Sequence, residues 1–208
     1  MPTHESLATQ VWPAIASSPA DLIVLLLPRM MVGKIGAPGG TIRPLTVSFV
    51  RLTARAIADY NRARAAATQS GPASDFLMVR IEAISDLESC MLTLHRSLLF
   101  LEVLRQRGLA TAAGKAVPLR PANIPALATG ARDRIRDLRD AIAHMDARIK
   151  SGEFPTGRSI APWPDSQGVV TLENVKVSIA ELASWLKQVA DIATFVALEG
   201  ASSSTGAA

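Results

Sequence analysis

Apolar residues recur every three or four positions through most of this chain. Leu45, Phe49, Leu52, Ala56, Tyr60 and Ala63 mark a helix that lasts to about Gln69, just before Gly71 and Pro72. Leu77, Ile81, Ile84, Leu87, Met91, Leu94, Leu98, Leu101 and Leu104 predict a second helix over 75–107, with Gly108 placed to end it. A helix of that length must pack along a partner. Ile135, Leu138, Ile142, Met145 and Ile149 fall within about 80° on a wheel of 100° per residue. They predict an amphipathic helix over 131–150 with a wide polar face, ended by Ser151 and Gly152. Leu182, Leu186, Val189, Ala193 and Val196 predict a last helix over 178–199. Ser178 and Glu181 form an S-x-x-E capping box at its start, with Val177 and Leu182 at the staple positions.

The pattern breaks elsewhere. Residues 1–42 carry short apolar pieces cut by Pro13, Pro19, Pro28 and the run from Gly36 to Gly40, and read as an arm of short helices and a loop. Gly114, Pro118, Pro121 and Pro125 exclude a helix over 114–125, so the chain crosses the bundle there as a loop. Proline, glycine and β-branched residues between Arg158 and Val177 predict a hairpin near 160–172, with its turn from Pro164 to Gly168. The tail 200–208 is small and polar and is expected to be mobile. The expected fold class is all-α: an antiparallel bundle over 43–199 with a small β-hairpin before the last helix.

Composition agrees. The 208 residues, 49% hydrophobic, suffice for one core, and 34 alanines against 4% aromatics favour helices over a β-sandwich. The longest charge-free apolar run, Leu22 to Leu27, is too short to span a bilayer, and no basic stretch precedes it. With Cys90 the single cysteine, no internal disulfide is possible, and a soluble cytoplasmic protein is expected. A net charge of +4 tolerates a polyanion without demanding one. Phosphate-loop, H-E-x-x-H and G-x-S-x-G motifs are all missing, and no metal or cofactor is expected. Gly33, Lys34 and Gly36 lack the strand-turn-helix setting of a phosphate cradle and read as a connector.

Among the histidines, His4 sits in the arm, and His95 beside Leu94 and Leu98 reads as a structural residue, as does Cys90 near Met91. His144 differs, because it closes the run Leu138, Arg139, Asp140, Ala141, Ile142, Ala143, His144. Relative to Leu138, Arg139 lies at about 100° and His144 at about 240°, both off the apolar stripe. Asp140, Ala143 and Ala147 fall between them, making a ledge of short side chains bordered by a cation and an imidazole. Histidine transfers protons near neutral pH, and a guanidinium fork binds phosphate oxygens.

This segment resembles the R-[NDH]-x-x-x-H signature, or a close variant, of the HEPN family (higher eukaryotes and prokaryotes nucleotide-binding domains). The likeness covers roughly residues 75–150, leaving 1–42 and the hairpin outside it. It implies a helical bundle acting as a metal-independent endoribonuclease, often the toxin of a toxin-antitoxin or phage-defence system, with two motifs facing each other in a dimer. His144 would then be the general acid/base, Arg139 the phosphate holder and Asp140 the group that orients one of them. RNA is the implied substrate, and an antitoxin or a nucleotidyltransferase the implied partner.

The ledge at Ala143 and Ala147 predicts a homodimer whose axis passes near the 131–150 helix, where a second Arg139 and His144 would enter the same cleft. Arg51, Arg55 and Arg62 lie within about 40° of one another and offer an RNA track, though a solvated face is the plainer account. Trp163 and Trp185 read as hydrophobic anchors rather than base-stacking platforms. The alternative to a nuclease is a catalytically silent helical dimer that binds a partner protein or nucleotide.

Overall fold

The structure, a computed structural model, describes residues 12–15, 17–32, 42–68, 73–107, 109–110, 116–117, 127–152, 161–172 and 174–202. The glycine run 36–40, most of the crossing 114–125, the start of the expected hairpin at Ile160, and the tail beyond residue 202 lie outside the described residues. The bundle consists of α1 (Pro19–Val32), α2 (Ile42–Thr68), α3 (Ala73–Arg107), α4 (Ala131–Ser151) and α5 (Ile179–Ser202). Two small antiparallel pairs accompany them: β1 (Leu109–Ala110) with β2 (Ala116–Val117), and β3 (Val169–Leu172) with β4 (Val175–Ser178). The expected all-α class with a hairpin before the last helix is what the chain adopts.

The centre is the long antiparallel pair α2 and α3. Phe49, Ile57 and Tyr60 from α2 meet Leu87, Met91, Leu94 and Leu101 from α3 in one core, with Leu182, Leu186, Val189 and Val196 of α5 closing it. Leu22 and Leu26 of α1 enter the same core, so α1 packs against the bundle through this face.

Polar groups inside the α2–α3 seam are paired, as burial requires. The Thr53 and Ser97 hydroxyls bond each other at 2.9 Å, and Thr53 Oγ1 also donates to the Phe49 carbonyl at 2.9 Å. Asp59 is fully buried; Ser89 Oγ donates to its Oδ2 at 2.6 Å, Arg55 Nε reaches its Oδ1 at 2.7 Å, and Arg62 bonds both Asp59 and Asp86. Cys90 is buried beside this group, and desolvation pushes its thiol up, which keeps it protonated.

One end of the bundle is tied by aromatic rings. Trp12 lies 5.9 Å from Tyr60 and 6.4 Å from Trp163, measured between ring centroids. The Tyr60 hydroxyl donates to the Pro13 carbonyl, Arg64 Nε donates to the Trp12 carbonyl, and Arg80 stacks over Trp163 at 4.6 Å.

The α4 stripe is Ala131, Ile135, Leu138, Ala141 and Met145, all buried, with Ile142 partly so. It runs out before the last turn, where Ile149 is 49% exposed instead of buried. Gly152 caps the helix at φ 71°, a left-handed conformation that glycine adopts without a Cβ clash.

The hairpin differs from expectation in its pairing. The turn from Pro164 to Gly168 exists, held by Asp165 Oδ1, which accepts from the Gln167 and Val169 amides. It leads into β3, however, and β3 pairs with 175–178 in the register Val170 with Val177, not with residues 160–163. A single bridge between Pro164 and Val170 is all that represents the expected pairing among the described residues. Proline cannot donate to a ladder, whereas Val175, Lys176, Val177 and Ser178 all can. The capping box at Ser178 forms as expected: the Glu181 amide donates to Ser178 Oγ at 3.1 Å, and the Ser178 amide donates to Glu181 Oε2 at 3.1 Å.

Candidate functional site

The outward face of α4 carries the motif. Its buried stripe turns Arg139, Ala143, His144 and Ala147 to solvent, with Asp140 half-exposed beside them. Arg139 Nη1 meets Asp140 Oδ1 at 2.5 Å. That hydrogen bond holds the Asp140 carboxyl below its usual range, and the charges of His144 and His95 act in the same direction. Asp140 therefore stays ionised, with a cation on one side and the motif imidazole near it.

The arrangement also draws in a residue from another helix. His95 on α3 is half-buried, and its titration is lowered by burial and then by the charge of Arg139, while Asp140 opposes both. Helix geometry explains the approach. Arg132 Nη1 meets Glu102 Oε2 at 2.9 Å, which marks the level at which the core packing places the antiparallel pair α3 and α4. Seven residues along each helix, a rise of about 10 Å, bring His95 opposite Arg139. The reading of His95 as a merely structural residue of the long helix thus missed its setting. The available signal was its spacing, since His95, Leu99 and Glu102 follow at i, i+4 and i+7 on a stripe beside the core one.

A cavity of about 410 Å³ opens between these helices, lined by His95, Leu98, Leu99, Arg132, Asp133 and Arg136. Its two arginines are partnered: Arg132 with Glu102, and Arg136 with Asp133 at 3.2 Å and Asp137 at 3.4 Å. All of these side chains are about a third or more exposed, so the pairs are weak and readily exchanged for another anion.

The other expected residues are dispersed. Arg51, Arg55 and Arg62 are exposed on α2, but Arg55 and Arg62 are committed to the buried Asp59. Trp185 is a core residue, 2% exposed, with Arg134 stacked over its ring at 4.9 Å. Arg134 also meets Glu181 at 2.8 Å, joining α4 to the start of α5. Burial raises the Glu181 carboxyl, but the Ser178 amide and Arg134 together outweigh it and hold the group below its usual range.

Among the described residues, no three His, Cys, Asp or Glu side chains gather as a metal site, and no helix is long and apolar enough to cross a membrane. No family model matches the chain, and neither does any curated protein or solved structure.

Proposed function

We propose that this protein is a metal-independent endoribonuclease, with the outward face of α4 as its catalytic surface. The observation that carries the proposal is the joint exposure of Arg139, Asp140 and His144 on one helix face, next to an open cleft with Arg132 and Arg136 on its α4 wall. In the proposed reaction the 2′-hydroxyl of the substrate loses a proton and its oxygen attacks phosphorus. The P–O5′ bond breaks and the departing 5′-oxygen takes up a proton, leaving a 2′,3′-cyclic phosphate and a 5′-hydroxyl. His144 transfers one of these protons, and Arg139 offers its fork to the phosphorane as charge gathers on it. Asp140 orients the guanidinium through their shared hydrogen bond.

Ala143 and Ala147 are exposed, so a second α4 can approach closely there, and a homodimer with two facing motifs belongs to the same proposal. A toxin restrained by an antitoxin, or a bundle paired with a nucleotidyltransferase, is the biological setting the motif's resemblance supports. One observation favours the silent binding dimer instead: Arg139 is already occupied by Asp140, which leaves less of its charge for phosphate.

The test is cleavage of single-stranded RNA in EDTA by the purified protein and by His144→Ala. The proposal expects cyclic-phosphate ends, with a rate that falls about 10²- to 10⁴-fold in the variant. Cleavage that survives the substitution rejects His144, and no cleavage by the wild type rejects the nuclease.

A further inference from the structure

The cleft between α3 and α4 has features that the motif alone does not use. Leu99 stands 48% exposed on its wall, a large apolar side chain at a place where Leu98 beside it is buried. Arg132 and Arg136 project from the facing helix, one turn apart, and His95 completes the α3 side. The volume of about 410 Å³ lies within the range of small-ligand sites. Apolar surface on one wall and guanidinium groups on the other match a flat base joined to an anionic group.

Charge narrows the choice. Arg132 and Arg136 are matched by Glu102, Asp133 and Asp137, so the cleft has no surplus of positive charge and a bound anion must take the place of a carboxylate, an exchange that a singly charged phosphodiester fits better than a doubly charged terminal phosphate. Each guanidinium carries five N–H donors, so the single carboxylate on Arg132 and the two on Arg136 leave others for phosphate oxygens. Position fits as well, since His95 on the cleft wall lies near enough to Arg139, where the reacting phosphate would lie, to feel its charge.

We propose that this cleft is a subsite for one unstacked nucleotide of single-stranded RNA, with the base against Leu98 and Leu99 and its phosphodiester on Arg132 and Arg136. The assignment rests on the nuclease reading for its place beside the scissile phosphate. His95 faces the bound nucleotide as an imidazole with one donor and one acceptor, suited to a 2′-hydroxyl or a base edge. The groups around it on α4 are Arg132, Arg136, Arg139 and Asp140. Burial and the arginines keep it neutral, and a phosphodiester seated among them partly cancels their charge.

The experiment uses the non-cleaving His144→Ala protein and the dinucleotide thymidylyl-(3′→5′)-deoxyadenosine, which has a phosphodiester but no 2′-nucleophile. Histidine ring resonances are followed by NMR during the titration. The His95 signal is expected to shift on binding and its titration midpoint to move upward, while Leu99→Ala weakens binding. In the otherwise wild-type chain, Leu99→Ala is expected to raise KM for RNA about tenfold with kcat little changed. Leu99 is half exposed, so the fold should tolerate the change; Leu99→Gln with a thermal melt checks this.

An unmoved His95 signal at millimolar dinucleotide, with an unchanged KM, overturns the subsite while leaving the nuclease intact. A shifted His95 signal in a protein whose wild type cleaves nothing upholds the nucleotide site and removes the nuclease instead.

Discussion

Removing the Ser89 hydroxyl tests how the central helix pair tolerates its buried charge. Asp59 has no exposed surface, and its Oδ2 accepts from Ser89 Oγ at 2.6 Å across the α2–α3 seam. The other partners, Arg55 and Arg62, approach Oδ1 from outside, with 60% and 49% of their side chains exposed. Ser89→Ala therefore leaves one carboxylate oxygen without its interior donor. A hydrogen bond to a charged group contributes about 1.5–3 kcal/mol. For a chain of this size that loss corresponds to a melting temperature lower by about 3–12 °C.

Circular-dichroism melts of the wild type, Ser89→Ala, Asp59→Asn and the double variant supply the measurement. The double-variant cycle should show a coupling of about 0.5–3 kcal/mol, because both changes act on one bond. A Ser89→Ala variant that melts within about 1 °C of the wild type refutes the reasoning, since the predicted loss is several times larger. If Ser89→Ala costs as much in the Asp59→Asn background as in the wild type, the reasoning fails too, because the hydroxyl then acts elsewhere.

Two further outcomes follow from local geometry. At Gly152 an added Cβ meets nothing within 4 Å, so the cost of Gly152→Ala is that of φ 71° alone, about 1 kcal/mol or a melting point lower by about 2–4 °C; a melt unchanged by the substitution contradicts the cap. His95 has a titration point below its ordinary 6.5, so as pH falls through that value the unfolded chain binds the proton first and the native state loses stability. The His95→Gln variant lacks this loss, and urea midpoints at about pH 7.5 and 5.5 should fall less in it than in the wild type; equal slopes refute the assignment.

Helix positions were legible in the chain because periodicity and caps agree there. The Ser178 and Glu181 box marks the last helix to within a residue, and Val177 and Leu182 both bury as the staple requires. The hairpin register was not legible, because the strong turn residues from Pro164 to Gly168 drew the pairing toward themselves. The true second strand alternates over too few residues to stand out, with Val175 and Val177 turned inward on either side of exposed Lys176. The Arg139, Asp140 and His144 face could be placed on the wheel, since it needs only one helix. His95 could not be joined to it, because that depends on the level at which α3 packs on α4, which only the folded core fixes and the Glu102 and Arg132 pair marks.

The ring cluster at the end of the bundle joins parts of the chain separated by about 150 residues, from Trp12 to Trp163. Closing so long a loop costs roughly 4 kcal/mol of chain entropy beyond a constant, so Trp12 docks onto Tyr60 and Trp163 only after the helices have formed the surface that receives it. Two of the three tryptophans in the protein report that docking, while Trp185, sealed under Arg134, reports the core. Refolding followed by fluorescence should therefore resolve into an early signal from Trp185 and a later one from the paired indoles.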